Sequence, residues 1–431
     1  MNPKGFTLRM IHKDSEESPF YNPLDRLITP DERFQTLIDQ SRARARYIAS
    51  QINPDVFVRV LYDDGAFYHT ASVGIGTFRG QPGYMSYYLL VDSGSDLTWL
   101  QCQGATHFFH QDSQLYPWKN SQSFRVVRCQ NTSADCRECS GTGVCVYKES
   151  YVDSQVTYGV LATENFTFSS RTSPSSLVSF QLRMGCGLRQ ENFNLGNNNS
   201  TKQKPDFIAG ILGLGRGVRS FVSQLAVGGG KFSYCFEKYS RGNTYLSFGA
   251  DATIGFQARQ TPIITPPFNT SFYYLNLEGI TVGVFTIPRR EFEFNHNDGT
   301  GGCIIDSGAP FTTMYRNIYV KVKRYLEGYF WNYNRMLPAG STHRNMLCFK
   351  TKPGKPYTKP TVIFHFQQSD YNVSESEVWY ENEGNVCLAM VSSDSNKPAV
   401  IFGAFQQVNK RILYDNQALR LSFADETCGG P

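Results

Sequence analysis

The sequence predicts a mainly β protein of two similar lobes with one cleft between them, preceded by a helical arm. Three observations carry that reading: short β-branched and aromatic runs broken by Gly, Pro, Asn and Ser from about residue 63 onward, a composition with 37 Gly, 20 Pro and 14% aromatic residues, and an internal repeat. At 431 residues with 40% hydrophobic content, the chain is long enough for two cores. A net charge of +5 with no Lys/Arg run of five or more leaves no footprint for nucleic acid. Since no apolar stretch approaches 18 residues, no membrane span is expected.

Residues 1–62 form the arm, 63–255 the first lobe and 256–431 the second. The arm has no Cys and shows no strand-like alternation. Its clear signal is Thr29-Pro30-Asp31-Glu32, in which Thr29 caps, Pro30 suits the first helical position and Glu32 completes a capping box. The helix that follows, about Pro30–Ser50, carries Phe34, Leu37, Ile38 and Tyr47 beside Arg42, Arg44 and Arg46, and reads as a detachable basic arm. Strands are expected over Tyr87–Val91, Val156–Phe168, Phe272–Val282 and Lys359–Phe366, with few helices.

Leu89-Leu90-Val91-Asp92-Ser93-Gly94-Ser95 has its counterpart in Cys303-Ile304-Ile305-Asp306-Ser307-Gly308-Ala309. Each follows a Tyr-started stretch ending in Gly, Tyr68–Gly76 and Tyr274–Gly283. Each is followed at a distance by an apolar pair and Gly, Ile211-Leu212-Gly213 and Ile401-Phe402-Gly403. One Asp-Ser-Gly loop is an ordinary turn. Two in matched context place a carboxylate at each strand end, with Gly freeing the backbone N–H groups to point at it. Pseudo-twofold lobes bring Asp92 and Asp306 face to face, and such a pair holds one proton, so that one member serves as base and the other as acid.

Eleven cysteines indicate an oxidising compartment. Cys136-Arg-Glu-Cys139 has the spacing of a zinc knuckle but no nearby His, and neither a metal nor a cofactor is expected. Asn131, Asn165, Asn198, Asn199, Asn269 and Asn372 open N-x-Ser/Thr triplets, the pattern of a glycosylated secretory protein. Met1–Phe6 lacks the apolar core of a secretory signal, so that signal is expected to have been cut off or lost from the gene model. The odd cysteine count leaves one thiol free or paired between molecules.

Val91–Cys102 and Ile304–Gly308, with Met184-Gly185-Cys186-Gly187, Gly210–Gly217, Phe232-Ser233-Tyr234-Cys235 and Ile401-Phe402-Gly403, resemble the pepsin-like aspartic proteases, most closely their plant nepenthesin-like branch. Phe6–Tyr21 resembles that branch's propeptide. The resemblance implies a bilobal acid-protease fold and a monomeric endopeptidase acting on protein or peptide substrates, made as a zymogen and secreted or vacuolar. It implies Asp92 and Asp306 as the catalytic pair, supported by Ser93, Gly94, Ser95, Ser307, Gly308 and Trp99, with Tyr151 as the flap tyrosine. Trp99 and Tyr151 also suit plain core packing. The disulfides implied are Cys348–Cys387 and Cys235–Cys428. The sequence departs from the pattern at Ala309, where a hydroxyl is usual, at Val152, where Gly is usual, in the cysteine-free stretch Gln103–Tyr116, and at Cys303. These departures leave a second reading, a catalytically silent protein on the same scaffold that inhibits or binds another secreted enzyme.

Overall fold

The computed structural model describes residues 5–12, 34–35, 37–42, 44–45, 69–129, 136, 138–151, 155–169, 177–193, 207–225, 229–237, 244–268, 270–334, 347–352, 354, 356–382 and 384–428. The capping box at Thr29–Glu32, Arg46, Tyr47, Val152, Asn131, Asn198, Asn199, Asn269 and the boundary expected at residue 62 lie outside them.

Six antiparallel strands within one larger sheet join the two halves of the chain. Their order is Arg259–Ile264, Arg420–Asp425, Lys410–Asp415, Lys231–Cys235, Thr244–Gly249 and Gly5–His12. The last strand corrects the expectation for the arm, because Gly5–His12 pairs with Thr244–Gly249 on one side and with His69–Ile75 on the other. Phe6, Leu8 and Met10 alternate along it and are all buried, Phe6 stacking on Phe168 and Phe248 at ring-centroid distances of 4.9 and 4.8 Å. The alternation is short and interrupted by a buried Thr7, and it becomes a strand because a ladder awaits it on both edges.

The repeat seen in the sequence is a repeat of strand crossings. Met85–Asp92 runs parallel to Ile208–Gly213 with Asp92 opposite Gly213, while Trp99–Gln101 crosses antiparallel with Trp99 opposite Ile211. In the second half, Cys303–Asp306 runs parallel to Val400–Gly403 with Asp306 opposite Gly403, and Thr312–Tyr315 crosses antiparallel with Thr313 opposite Ile401. Each apolar pair and Gly therefore flanks an Asp strand, and because such parallel pairs are buried on both faces they read as continuous apolar runs.

Two strand expectations shift. Phe272–Val282 is two strands, Tyr273–Leu275 and Leu277–Val282, which pair with different partners on either side of Asn276. Lys359–Phe366 begins only at Val362, since Pro360 cannot donate to a ladder. The helix Arg316–Asn334, which the aromatic and β-branched content obscured, buries Ile318, Val322, Leu326 and Phe330 at i, i+4 spacing. No described helix is long and apolar enough to cross a membrane.

Leu8→Ala should remove about 2–5 kcal/mol from the fold, the range for a truncated core leucine. The check is the urea midpoint of the full chain, and an unchanged midpoint would mean that the strand at residues 5–12 is not docked.

Candidate functional site

Asp92 and Asp306 end their strands and are fully buried side by side at the seam of the two halves. The two loops lock onto each other reciprocally. The Ser93 N–H donates to Ser307 Oγ and the Ser307 N–H to Ser93 Oγ, both at 2.9 Å, and Ser307 Oγ donates on to the Val91 carbonyl at 3.2 Å. Each aspartate is then fixed by its own loop: Gly94 N–H to Asp92 Oδ1 at 2.9 Å and Gly308 N–H to Asp306 Oδ1 at 2.8 Å. Both glycines are required by close approach, since a Cβ on Gly94 would lie 2.8 Å from Asp306 Oδ1 and one on Gly308 would lie 2.4 Å from Asp92 Oδ1.

The two carboxylates are not equivalent. Ser95 Oγ donates to Asp92 Oδ2 at 2.6 Å, whereas the matching position in the second loop is the buried Ala309. Among the described residues only Arg44 donates to Asp306 Oδ2. Burial pushes the Asp306 carboxyl above the ordinary range; Arg44 pulls it down and the neighbouring Asp92 charge pushes it up again.

Arg44 comes from the amino-terminal arm. Its Nε lies 2.6 Å from Asp306 Oδ2, and its Nη2 lies 2.5 Å from Asp92 Oδ1 and 3.2 Å from Asp306 Oδ1, so one guanidinium spans both carboxylates. The described residues between 34 and 45 are helical and lie against the second half of the chain. Phe34 stacks on Tyr380 at 3.9 Å and packs with Leu37, Ile38, Phe311, Val391 and Phe405. Ser41 Oγ accepts the Phe311 N–H at 2.6 Å, and Arg42 Nε donates to the Ser392 carbonyl at 3.1 Å. Sequence reasoning grouped Arg42, Arg44 and Arg46 without choosing among them. Helical spacing distinguishes Arg44, which shares the face of Phe34, Leu37, Ile38 and Ser41.

Cys145–Ser150 pairs with the start of Val156–Ser169 in a hairpin closed by the Tyr151 N–H on the Gln155 carbonyl at 2.7 Å. The Trp99 indole N–H donates to the Tyr151 hydroxyl at 2.8 Å, and both side chains are buried. Glu149 on the hairpin is ion-paired with Arg219. Cys129–Cys139 and Cys136–Cys145 tie the hairpin's base, Cys102–Cys186 ties Trp99–Gln101 to the neighbouring strand, and Cys348–Cys387 and Cys235–Cys428 are also joined. The eleventh cysteine, Cys303, forms no disulfide and is buried at the start of the strand that ends at Asp306. Cys129, Cys136 and Cys139 lie close enough together for a metal, but their sulfurs are engaged in disulfides. Asn372 is exposed, whereas Asn165 is half-buried with its amide donating to Thr77 Oγ1 at 3.1 Å.

Residues 71–250 match the family model described as xylanase inhibitor, N-terminal, and residues 272–425 the model described as xylanase inhibitor, C-terminal. Aspartic proteinase nepenthesin-1 of Nepenthes gracilis is 31% identical over 99% of this chain and 91% of its own length. Nepenthesin-2 of the same plant is 31% identical over 93% and 87%. Basic 7S globulin from soybean shares the fold, with a TM-score of 0.65 at 17% identity over 84% of this chain and 95% of that one.

Arg44→Ala leaves two buried carboxylates uncompensated at neutral pH, a loss on the order of 3–5 kcal/mol. Thermal melting at pH 7 should therefore fall relative to the parent chain. As pH drops Asp306, its carboxyl raised by burial, takes up a proton and Arg44 loses partner charge, so the gap should narrow on acidification. An equal gap at pH 7 and after acidification would contradict the assignment.

Proposed function

Because the chain belongs to the pepsin-like plant aspartic protease family, we propose that it is an aspartic endopeptidase held as a zymogen by its own arm. The observation that carries this is the Arg44 guanidinium spanning Asp92 and Asp306. A group placed between the inner oxygens of two buried carboxylates stands where an attacking water would have to sit. Its removal leaves a cleft whose two acids share one proton.

In the opened cleft, a water held between Asp92 and Asp306 attacks the scissile carbonyl carbon while the ionised carboxylate takes its proton. The other carboxyl gives its proton to the carbonyl oxygen, so a neutral gem-diol forms. Collapse of that diol breaks the C–N bond as the proton held by the first carboxylate goes to the leaving amine and a diol hydroxyl returns its proton to the second carboxylate. No charge accumulates on the tetrahedral carbon. Tyr151, pinned by Trp99, closes over the substrate and excludes bulk water.

Acid releases the arm by the same titration. The Asp306 carboxyl, raised by burial, protonates at a higher pH than an ordinary carboxylate, and the arginine then faces a pair with less negative charge. Five disulfides favour an oxidising setting, which fits secretion or a vacuole, and the substrates are proteins or peptides.

Two observations favour a second reading, that of a silent inhibitor or binding protein. Among the described residues Asp306 Oδ2 receives no hydroxyl from its own lobe, and the family models that match are described as xylanase inhibitor domains. Incubating the full chain with a denatured protein at pH 3–6, with and without pepstatin and beside Asp92→Asn, separates the two. The proposal expects pepstatin-sensitive cleavage that Asp92→Asn abolishes; tight binding of a secreted enzyme that Asp92→Asn leaves unchanged, with no cleavage at any pH, establishes the other.

Two further outcomes follow from the geometry. Arg44→Ala should be active at pH 6–7, where the parent chain is blocked, as measured by initial rates without acid pretreatment. Ala309→Ser should supply Asp306 with a donor that favours the ionised form, moving the acidic limb of the pH–rate profile lower by up to about one pH unit. Coincident profiles would remove Ala309 from the account.

A further inference from the structure

Besides the reciprocal serine contact, a second joint ties the Asp92 loop to the other half of the chain, and a carboxylate sits at its centre. Asp96 follows Asp92 on the same loop. Its Oδ1 accepts the Gly217 N–H at 2.8 Å and its Oδ2 accepts the Ser271 hydroxyl at 2.6 Å. Gly217 follows the strand Ile208–Gly213 in the first half of the chain, whereas Ser271 leads into Tyr273–Leu275 in the second. The same loops meet again beside this carboxylate. The Arg216 N–H donates to the Ser271 carbonyl at 2.9 Å, and the Arg216 guanidinium donates to the Ile264 carbonyl at 3.1 Å and to Thr265 Oγ1 at 3.0 Å. The Tyr273 hydroxyl closes the set on the Leu214 carbonyl at 2.8 Å.

Each side of the joint leads to one of the two aspartates. On the first side, the Leu214 N–H donates to the Asp92 carbonyl and the Gly215 N–H to the Ser95 carbonyl, both at 2.8 Å. Residues 92–96 are therefore laced to residues 214–217 along their length. A Cβ on Gly217 would strike the Asp96 carboxylate, so glycine is what allows the approach. On the other side, Tyr273–Leu275 runs antiparallel to Cys303–Asp306, with Tyr273 opposite Ile305, the residue before Asp306. Ser271 is thus joined through Phe272 to the neighbour of the Asp306 strand. A carboxylate suits the centre of this joint because it offers one oxygen to each half of the chain.

We propose that Asp96 and Ser271 are positioning residues whose bond is a second clasp between the two halves and, together with the Ser93–Ser307 contact, sets the separation of Asp92 and Asp306. The reciprocal serine bonds make one point of contact, about which two loops can still pivot. A second contact further along the same loop takes that freedom away. The consequence is a fixed spacing for the water between the carboxylates, where a misplacement near 1 Å costs up to about a hundredfold in rate.

The inference rests on the endopeptidase reading, and its test separates the two. Full-length parent, Asp96→Ala, Asp96→Asn, Ser271→Ala and the double variant Asp96→Ala/Ser271→Ala are assayed after acid incubation on a denatured protein. Asp298→Ala is the control, since Asp298 also accepts an N–H and a hydroxyl, both from Thr300 within one half of the chain. Asp96→Ala and Ser271→Ala should each lower kcat by about ten- to a hundredfold, with KM within about twofold. In the Asp96→Ala background, Ser271→Ala should change kcat by less than about twofold, because the bond it serves is already gone. Asp96→Asn should keep kcat within about threefold of the parent, because its carbonyl still accepts the Gly217 N–H and its amide can donate to Ser271 Oγ. Parent-like kcat in both alanine variants, multiplying losses in the double variant, no rescue by Asp96→Asn, or an equal loss in Asp298→Ala would overturn the inference while leaving the endopeptidase reading intact. Absence of pepstatin-sensitive cleavage by the parent chain would remove both. If Asp96→Ala fails to fold, Ser271→Ala and Asp96→Asn decide by the same split of kcat against KM.

Discussion

Two carboxylates buried in contact are unfavourable, and the fold is arranged around keeping them so. Desolvation and like charge both oppose ionisation of the pair, and neither aspartate could hold its position on a mobile loop. The reciprocal bonds between Ser93 and Ser307 make each loop part of the other's support, so the halves cannot separate at this point without exposing four buried polar groups. The parallel pairing of each Asp strand with its Gly-terminated partner and the six antiparallel strands that join the halves supply the rigid backing that those bonds need.

The arm relates to this pair in two distinct ways. Its helix offers a cation to the carboxylates, an interaction that weakens as they protonate. Its strand, Gly5–His12, is held by backbone ladders and by Phe6, Leu8 and Met10, none of which titrates. Acid therefore acts on the helix and leaves the strand's attachment unchanged. On the proposed zymogen reading, opening the cleft and releasing the arm would be separate events, with the apolar contacts of Phe34, Leu37 and Ile38 resisting the first once Arg44 has lost its counter-charges.

Much of the site was legible because its chemistry is local. Asp-Ser-Gly puts the carboxylate, the hydroxyl and the free N–H within a few residues, and the second copy announced itself by repetition. Arg44 was visible only as one of three arginines, since the choice among them depends on which helix face meets the second lobe. The strand at 5–12 and the helix Arg316–Asn334 were missed for opposite reasons. The first has weak local preference and gains its structure from waiting edges. The second has a sound four-residue period hidden under residues that favour strands.

The sequence by itself determined the two lobes, the identity of both aspartates and their hydroxyl and glycine companions, and the oxidising setting, because repetition, turn chemistry and cysteine number are written in consecutive residues. Tertiary structure alone decided which arginine meets the two aspartates, that Ser95 Oγ is the donor to Asp92 Oδ2, and how Cys102, Cys129, Cys136, Cys139, Cys145 and Cys186 pair. The Arg44 contacts depend on groups 48 and 262 residues apart meeting at hydrogen-bond distance, and no local pattern encodes such a meeting.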